Sequence, residues 1–220
     1  MERAELIDEC PEVSRIALAS AGRDRDLWLA AFALDGRIGR MVLGATEPML
    51  GQMRLAWWRD QFGQPATARP DGDPLLDLIG RSWEGCERAL RDLVDGWEAL
   101  LSQRPLSEAD RASFVAGRAS LARALAERAG SPSAANEAER AGTLWALADL
   151  AVHTQEPDER DAVLNRAAEI ARQNLRLPRP LRPLSVIGGL ARRSLNSGGR
   201  PLLGDRLSPL IALRLGLFGR

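Results

Sequence analysis

The chain has 220 residues, enough for one sizeable core, and its 45% apolar and 27% charged content is that of an ordinary globular protein. Its net charge is zero and no recognised nucleic-acid-binding motif accompanies its basic residues, which argues against a nucleic-acid partner. Two cysteines, no run of 18 apolar residues, and an acidic start ("MERAELIDEC") argue against a disulfide framework, a transmembrane helix and a signal peptide, so a cytoplasmic location with reduced thiols is expected.

Helical periodicity dominates in chain order, and strand signals are nearly absent. In "CPEVSRIALASAG", Val13, Ile16, Ala17 and Ser20 follow the i, i+3, i+4, i+7 rule, and Gly22 is placed to end the helix. "RDRDLWLAAFALDGRIGRMVLGA" continues the pattern through Leu27, Trp28, Ala31, Leu34, Ile38, Met41 and Val42. Gly36, Gly39 and Gly44 each cost that stretch roughly 1 kcal/mol relative to Ala, which is tolerable only where another helix packs close. Thr46, Glu47 and Pro48 read as a helix start, and the helix runs to about Phe62 before the loop "GQPATARPDGDP". Further helices are predicted over 74–80, 82–102, 107–130, 135–154 and 158–175. Three prolines force "LRLPRPLRPLS" to be extended, and "VIGGLARRSLNS" and "SPLIALRLGLFG" form two short final helices. The expectation is one all-α domain over 1–220, with 176–220 a looser, basic section.

The charge is unevenly spread. Residues 1–175 hold 21 Arg against 29 acids, whereas 176–220 hold 9 Arg against Asp205 alone. A basic end on an acidic body implies internal pairing or contact with an anionic surface. All 30 basic residues are arginine and tyrosine is absent, a bias attributed to genome composition rather than to a need for guanidinium.

Most hydrolytic and metal chemistries find no support. There is a single histidine, His153, and no G-x-S-x-G elbow. One His with Cys10 and Cys86 far apart does not make a zinc site. "NSGGRPLLG" lacks the spacing and the Lys-Ser/Thr of a phosphate loop and reads as an exposed turn. The i, i+4 acid pairs Glu5/Glu9, Asp8/Glu12 and Asp73/Asp77 lie outside the tryptophan-rich helices and read as solvated faces.

The helix "EPMLGQMRLAWWRD" is apolar on two sides. Leu50, Met53 and Trp57 line one, and Leu55, Trp58 and Phe62 the other, which predicts a central, largely buried helix. Arg54 and Arg59 then need partners. Either acids such as Asp35 or Glu84 supply them, or the arginines line an apolar cavity for an amphiphile with an anionic head.

The stretch "LAAFALDGRIGRMVLGATEPMLGQMRLAWWRD" resembles the early helices of the squalene/phytoene synthase family, which carry a pattern of the form EP, G, RL and WWRD. The likeness is most specific over 26–62 and weaker but collinear to about 155. The resemblance implies an all-α bundle of the isoprenoid synthase type around a central cavity. Active members condense two allylic diphosphates head to head, using Mg²⁺ held by two facing aspartate-rich motifs. Against the first motif, Gly39, Arg40 and Leu43 stand where acids belong, and Asp35 falls one turn early. Against the second, which starts at Gly142, the polar positions hold Ala146, Asp149, Val152, His153 and Pro157.

The resemblance therefore implies a non-catalytic member with no metal ligands. It is similar to the branch that assembles respiratory complex I, a scaffold or chaperone peripheral to the inner membrane whose partners would be respiratory complex subunits. Its basic section would touch anionic lipid, where each arginine contributes roughly 1 kcal/mol. The alternatives are a Mg²⁺-dependent prenyltransferase and a carrier of an isoprenoid or lipid. Candidate cavity or ligand-binding residues are Arg54, Trp57, Trp58, Arg59, Asp35, Arg40 and Asp149, and no catalytic residue is assigned.

Overall fold

A computed structural model describes residues 2–219, and among them there are eleven α-helices and no strand. In order they are α1 (Glu2–Glu9), α2 (Glu12–Leu18), α3 (Arg25–Leu43), α4 (Pro48–Phe62), α5 (Pro74–Ser82), α6 (Glu87–Glu98), α7 (Glu108–Arg128), α8 (Ala135–His153), α9 (Pro157–Arg172), α10 (Arg182–Asn196) and α11 (Ser208–Phe218). Local chemistry sets several ends. Pro48 opens α4, the Asp73 carboxylate accepts from the Leu75 and Leu76 amides to cap α5, and Ser107 and Asp110 form a reciprocal capping box on α7.

Several boundaries differ from the periodicity, among them the start of α10 at Arg182, inside the stretch expected to be extended, where Pro183 is accommodated in the first turn. The first residues form a helix of their own, α1, whose Glu9 carboxylate is held by Arg37 and Arg40. The helix expected over 82–102 starts later, at Glu87, because Gly85 takes a left-handed conformation (φ +79°) in the turn between α5 and α6, and it ends at Glu98 before a 3-10 turn over 99–101.

One continuous apolar core runs from Leu6 to Ala212. Its centre is α7, which packs on α6 on one side and on α8 on the other, and α8 in turn carries α10. Small residues let these backbones approach. A Cβ added at Gly117 would stand 2.5 Å from the Asp92 carbonyl oxygen of α6, and one at Gly142 would stand 2.5 Å from the Arg118 carbonyl oxygen of α7. The glycines of α3 are explained in the same way: Gly39 lies under the Trp97 indole, where a Cβ would meet the ring at 2.9 Å, and Gly36 abuts the Glu9 carbonyl.

Two expectations are corrected. The basic C-terminal section is not loose as a whole, since α10 buries Leu184, Val186, Ile187, Leu190 and Ala191 in the core. Only α11 is peripheral, resting on α10 and α2. Nor is α4 central. It packs on α6, α3 and the turn at 99–101, so Leu55, Trp58 and Phe62 face inward while Met49, Leu50, Met53 and Trp57 are 40–70% exposed. Its second apolar side has no neighbouring helix to cover it. Among the described residues, no helix is long and apolar enough to cross a membrane.

Replacing Gly117 by alanine should force α6 and α7 apart, because backbone rather than a flexible side chain blocks the new methyl. A loss of about 1–3 kcal/mol is expected in urea denaturation, despite alanine's higher helix propensity.

Candidate functional site

The centre of the bundle holds an ion cluster. Asp35 on α3 is completely buried, and Arg118 on α7 is only 2% exposed. The guanidinium grips Asp35 in the bidentate manner, Nε to Oδ1 at 3.0 Å and Nη2 to Oδ2 at 3.0 Å. Its remaining arm, Nη1, donates to Oδ2 of Asp149 on α8 at 2.8 Å. The Trp97 indole donates to the same Asp35 Oδ1 at 2.8 Å. One cation thus bridges two carboxylates that come from two different helices, α3 and α8.

Aromatic rings enclose the cation. The Arg118 guanidinium carbon lies 4.2 Å from the Trp145 ring centroid, 4.8 Å from that of Phe114 and 5.0 Å from that of Trp97. Ring faces are electron-rich, so three of them replace part of the hydration the cation has lost. Gly39 permits this arrangement, because a Cβ there would stand 2.9 Å from the Trp97 ring that donates to Asp35.

His153 closes the network at the rim. Its Nδ1 is 2.9 Å from the Asp149 carbonyl oxygen and 3.2 Å from Asp149 Oδ1. A carbonyl oxygen can only accept, so Nδ1 carries the hydrogen. The hydrogen bond and charge of Asp149 raise the His153 pKa above its ordinary value, against the pull of partial burial. Burial alone would lift Asp149, but Arg118 and His153 together outweigh it and hold that carboxyl below the usual range. Asp35 is pushed upward by its complete burial, with Arg118 and the Trp97 N–H opposing. Arg118 itself stays firmly protonated, as its two carboxylate partners more than offset burial.

Above the cluster lies a cavity of about 300 Å³ whose walls include Gly36, Gly39, Leu43, Trp97, Trp145 and Leu202. Asp35, Arg118, Asp149 and His153 give it a polar floor, and Arg40 sits at its edge. Arg40 is turned toward α1, donating to the Glu9 carbonyl at 2.6 Å and the Glu9 carboxylate at 2.9 Å.

The seven residues singled out from sequence therefore divide. Asp35, Arg40 and Asp149 line one cavity. The four on α4 stand elsewhere. Arg54 is exposed, and Trp57 is 40% exposed on the outer face. Trp58 is core, edge-on to Trp57 at 5.1 Å and under the Arg37 guanidinium at 5.6 Å. Arg59 pairs with Asp95 at 2.6 Å and with Glu98, both on α6, rather than with Asp35 or Glu84. The physical reason is that α4 packs mainly on α6, whose Asp95 and Glu98 meet Arg59 there.

Sequence reading missed Arg118, the residue on which the site turns. The available signal was indirect: Asp35 and Asp149 lie in apolar helical runs, and a carboxylate buried there demands a cation. The remaining motifs have structural roles. Asp73 caps α5 and binds Arg37 at 2.6 Å, and the Gly198–Gly199 turn has both carbonyls held by Arg160. Burial pushes the Cys10 thiol up to about 12, which leaves it unreactive.

As donors, two facing carboxylates are what a divalent cation would use. Here the space between them is filled by a permanent positive charge, and its NH groups take their oxygens at 2.8–3.0 Å. The residues present do not fit such an ion. No family model, curated protein or solved structure matches the chain.

Arg118→Met should leave Asp35 buried without a counter-charge and cost about 3–5 kcal/mol in urea denaturation. Adding Asp35→Asn should recover part of that loss, since the amide oxygen still accepts from Trp97 and the remaining carboxylate, Asp149, is partly exposed and keeps His153. The raised pKa of His153 fixes a second expectation. Its contribution to stability is complete below the ordinary histidine value of about 6.5 and disappears as pH rises through the raised value. Melting temperatures should therefore fall across that window in the parent protein and stay flat in His153→Asn, with the midpoint checked by NMR titration of the imidazole.

Proposed function

We propose that this chain is a non-catalytic helical protein of the squalene/phytoene synthase type, acting as an assembly or scaffold factor rather than as a prenyltransferase. The observation that carries the reading is Arg118 between Asp35 and Asp149. Prenyl condensation needs carboxylates free to hold Mg²⁺, which in turn holds diphosphate. A cation approaching these two acids meets a guanidinium first. At 4 Å and an effective dielectric of 20, repulsion is about 4 kcal/mol per unit of added charge.

Two further features support the reading. The guanidinium cannot step aside as a neutral group, because arginine keeps its proton at any pH the fold survives. It is also boxed by three rings, so displacing it would break cation–π contacts together with both ion pairs. A binding role also suits the outer surface of α4, where Met49, Leu50, Met53 and Trp57 leave apolar area uncovered.

The direct test is incubation of the purified protein with farnesyl or geranylgeranyl diphosphate and Mg²⁺. No condensation product and no Mg²⁺-dependent release of diphosphate are expected. A squalene- or phytoene-like product that disappears in Asp35→Asn or Asp149→Asn would overturn the proposal.

A further inference from the structure

The large apolar side chains left exposed among the described residues fall into two groups, one over residues 43–57 and one over 207–218. The first is carried mainly by α4. Met49, Leu50, Met53 and Trp57 are 40–70% exposed, and at 3.6 residues per turn they fall within an arc of about 100°. Behind this stripe α4 is firmly seated. Leu55, Trp58 and Phe62 are buried, and a Cβ at Gly51 would stand 2.9 Å from the Leu101 side chain. The Trp57 ring stands edge-on to buried Trp58, so its place is fixed before anything binds it. An anchor held in this way loses little freedom on association.

Residue type and area point to a protein partner. Trp, Met and Arg are side chains enriched where proteins meet. At roughly 200 Å² for a fully exposed large side chain, the four leave about 450 Å² uncovered. With exposed Gln52, Arg54 and Asp60 around them, one copy approaches the ~800 Å² that each partner gives to a standard interface.

Charge then selects the partner. Asp60 continues the stripe at its C-terminal end, and Arg54 borders it about 40° beyond Leu50. Neither side chain has a hydrogen bond or ion pair among the described residues. They stand about 9 Å apart along the helix axis and about 120° apart around it, so they do not answer each other within one copy. Two copies of α4 laid antiparallel bring them together. With Trp57 at the two-fold axis, Arg54 of each copy is level with Asp60 of the other, and the Trp57 rings meet at the centre with a Met53 on either side. A two-fold interface needs a patch complementary to itself. An apolar stripe with an arginine and an acid spaced evenly about its tryptophan meets that need. The group on α11 does not, because that helix contains no acid to face an arginine of a second copy.

We infer that the outer face of α4 is the interface of a two-fold homodimer, closed by Met49, Leu50, Met53 and Trp57 and set in register by reciprocal Arg54–Asp60 pairs. The inference extends the binding role given to α4 above by naming the partner as a second copy of this chain. It rests on that surface and not on the ion cluster.

The test is sedimentation velocity on the full chain from about 1 to about 200 μM. The mass should rise with concentration from that of the 24.0 kDa chain to twice that value. Met53→Glu should raise the dimer Kd at least tenfold, and the position is exposed enough for the melt of the dilute monomer to stay unchanged. Arg54→Glu should raise it about tenfold, and Arg54→Glu/Asp60→Arg should return it to within about threefold of the parent, a rescue that only contact between copies gives. Leu213→Glu on α11 should change nothing. A monomer at every concentration overturns the inference, including one whose stripe binds lipid vesicles instead. So does a dimer that persists in Met53→Glu, one lost in Leu213→Glu alone, or a charge swap without rescue. Dimerisation together with prenyl condensation would remove the non-catalytic reading and leave this one standing; a monomer that makes no prenyl product would do the opposite.

Discussion

The bidentate contact between Arg118 and Asp35 organises the middle of this bundle. A carboxylate with no solvent exposure is stable only beside a cation, and the cation is equally buried, so neither α3 nor α7 can shift without stranding a charge. The consequences spread outward from that pair. Trp97 must reach Asp35, so α6 lies close against Gly39 of α3. The third arm of Arg118 reaches Asp149, so α8 must also come close, and Gly142 lets it do so. Four helices are placed by one guanidinium and the groups that answer it.

Such a cluster is an expensive way to stabilise a core, since well-packed apolar residues of similar volume are often as good or better. Its charges also do not balance by themselves. Two carboxylates face one guanidinium, and the remaining charge is met at the rim by His153, whose imidazole is half exposed. Arg118 at the buried end therefore keeps its charge, while His153 at the outer end responds to pH. The cavity above inherits a floor of alternating charge rather than one of a single sign, which suits the holding of a fixed shape better than the capture of a multivalent ion.

Much of this architecture was legible in the sequence, and the reasons are physical. Long amphipathic runs such as 107–130 and 135–154 match α7 and α8 closely, because their apolar spacing follows the core they face. The glycines of α3 announced close packing, and close packing is there. Asp35 and Asp149 were singled out by their places relative to the motifs of the resembled family. Arg118 was not, because it is one arginine among thirty and its pairing depends on three helices meeting. Helix α4 misled for a different reason. A helix that is apolar on both sides can be central or can carry an uncovered face, and periodicity does not distinguish the two. The separation of α5 from α6 was read correctly, but apolar spacing set the start of α6 too early, since the left-handed turn at Gly85 is a backbone feature.

The attachment of α11 has a kinetic side. It leans on α10 and α2 and turns inward little more than a serine hydroxyl and an alanine methyl, with two half-covered aliphatic side chains beside them. Opening it exposes almost none of the core that α7, α8 and α10 enclose, so its detachment is a local event with a small free energy rather than a step toward global unfolding. The amides of α11 would then exchange with deuterium long before those of α7 or α8. α11 can therefore open and close on α10 while the rest of the bundle stays folded.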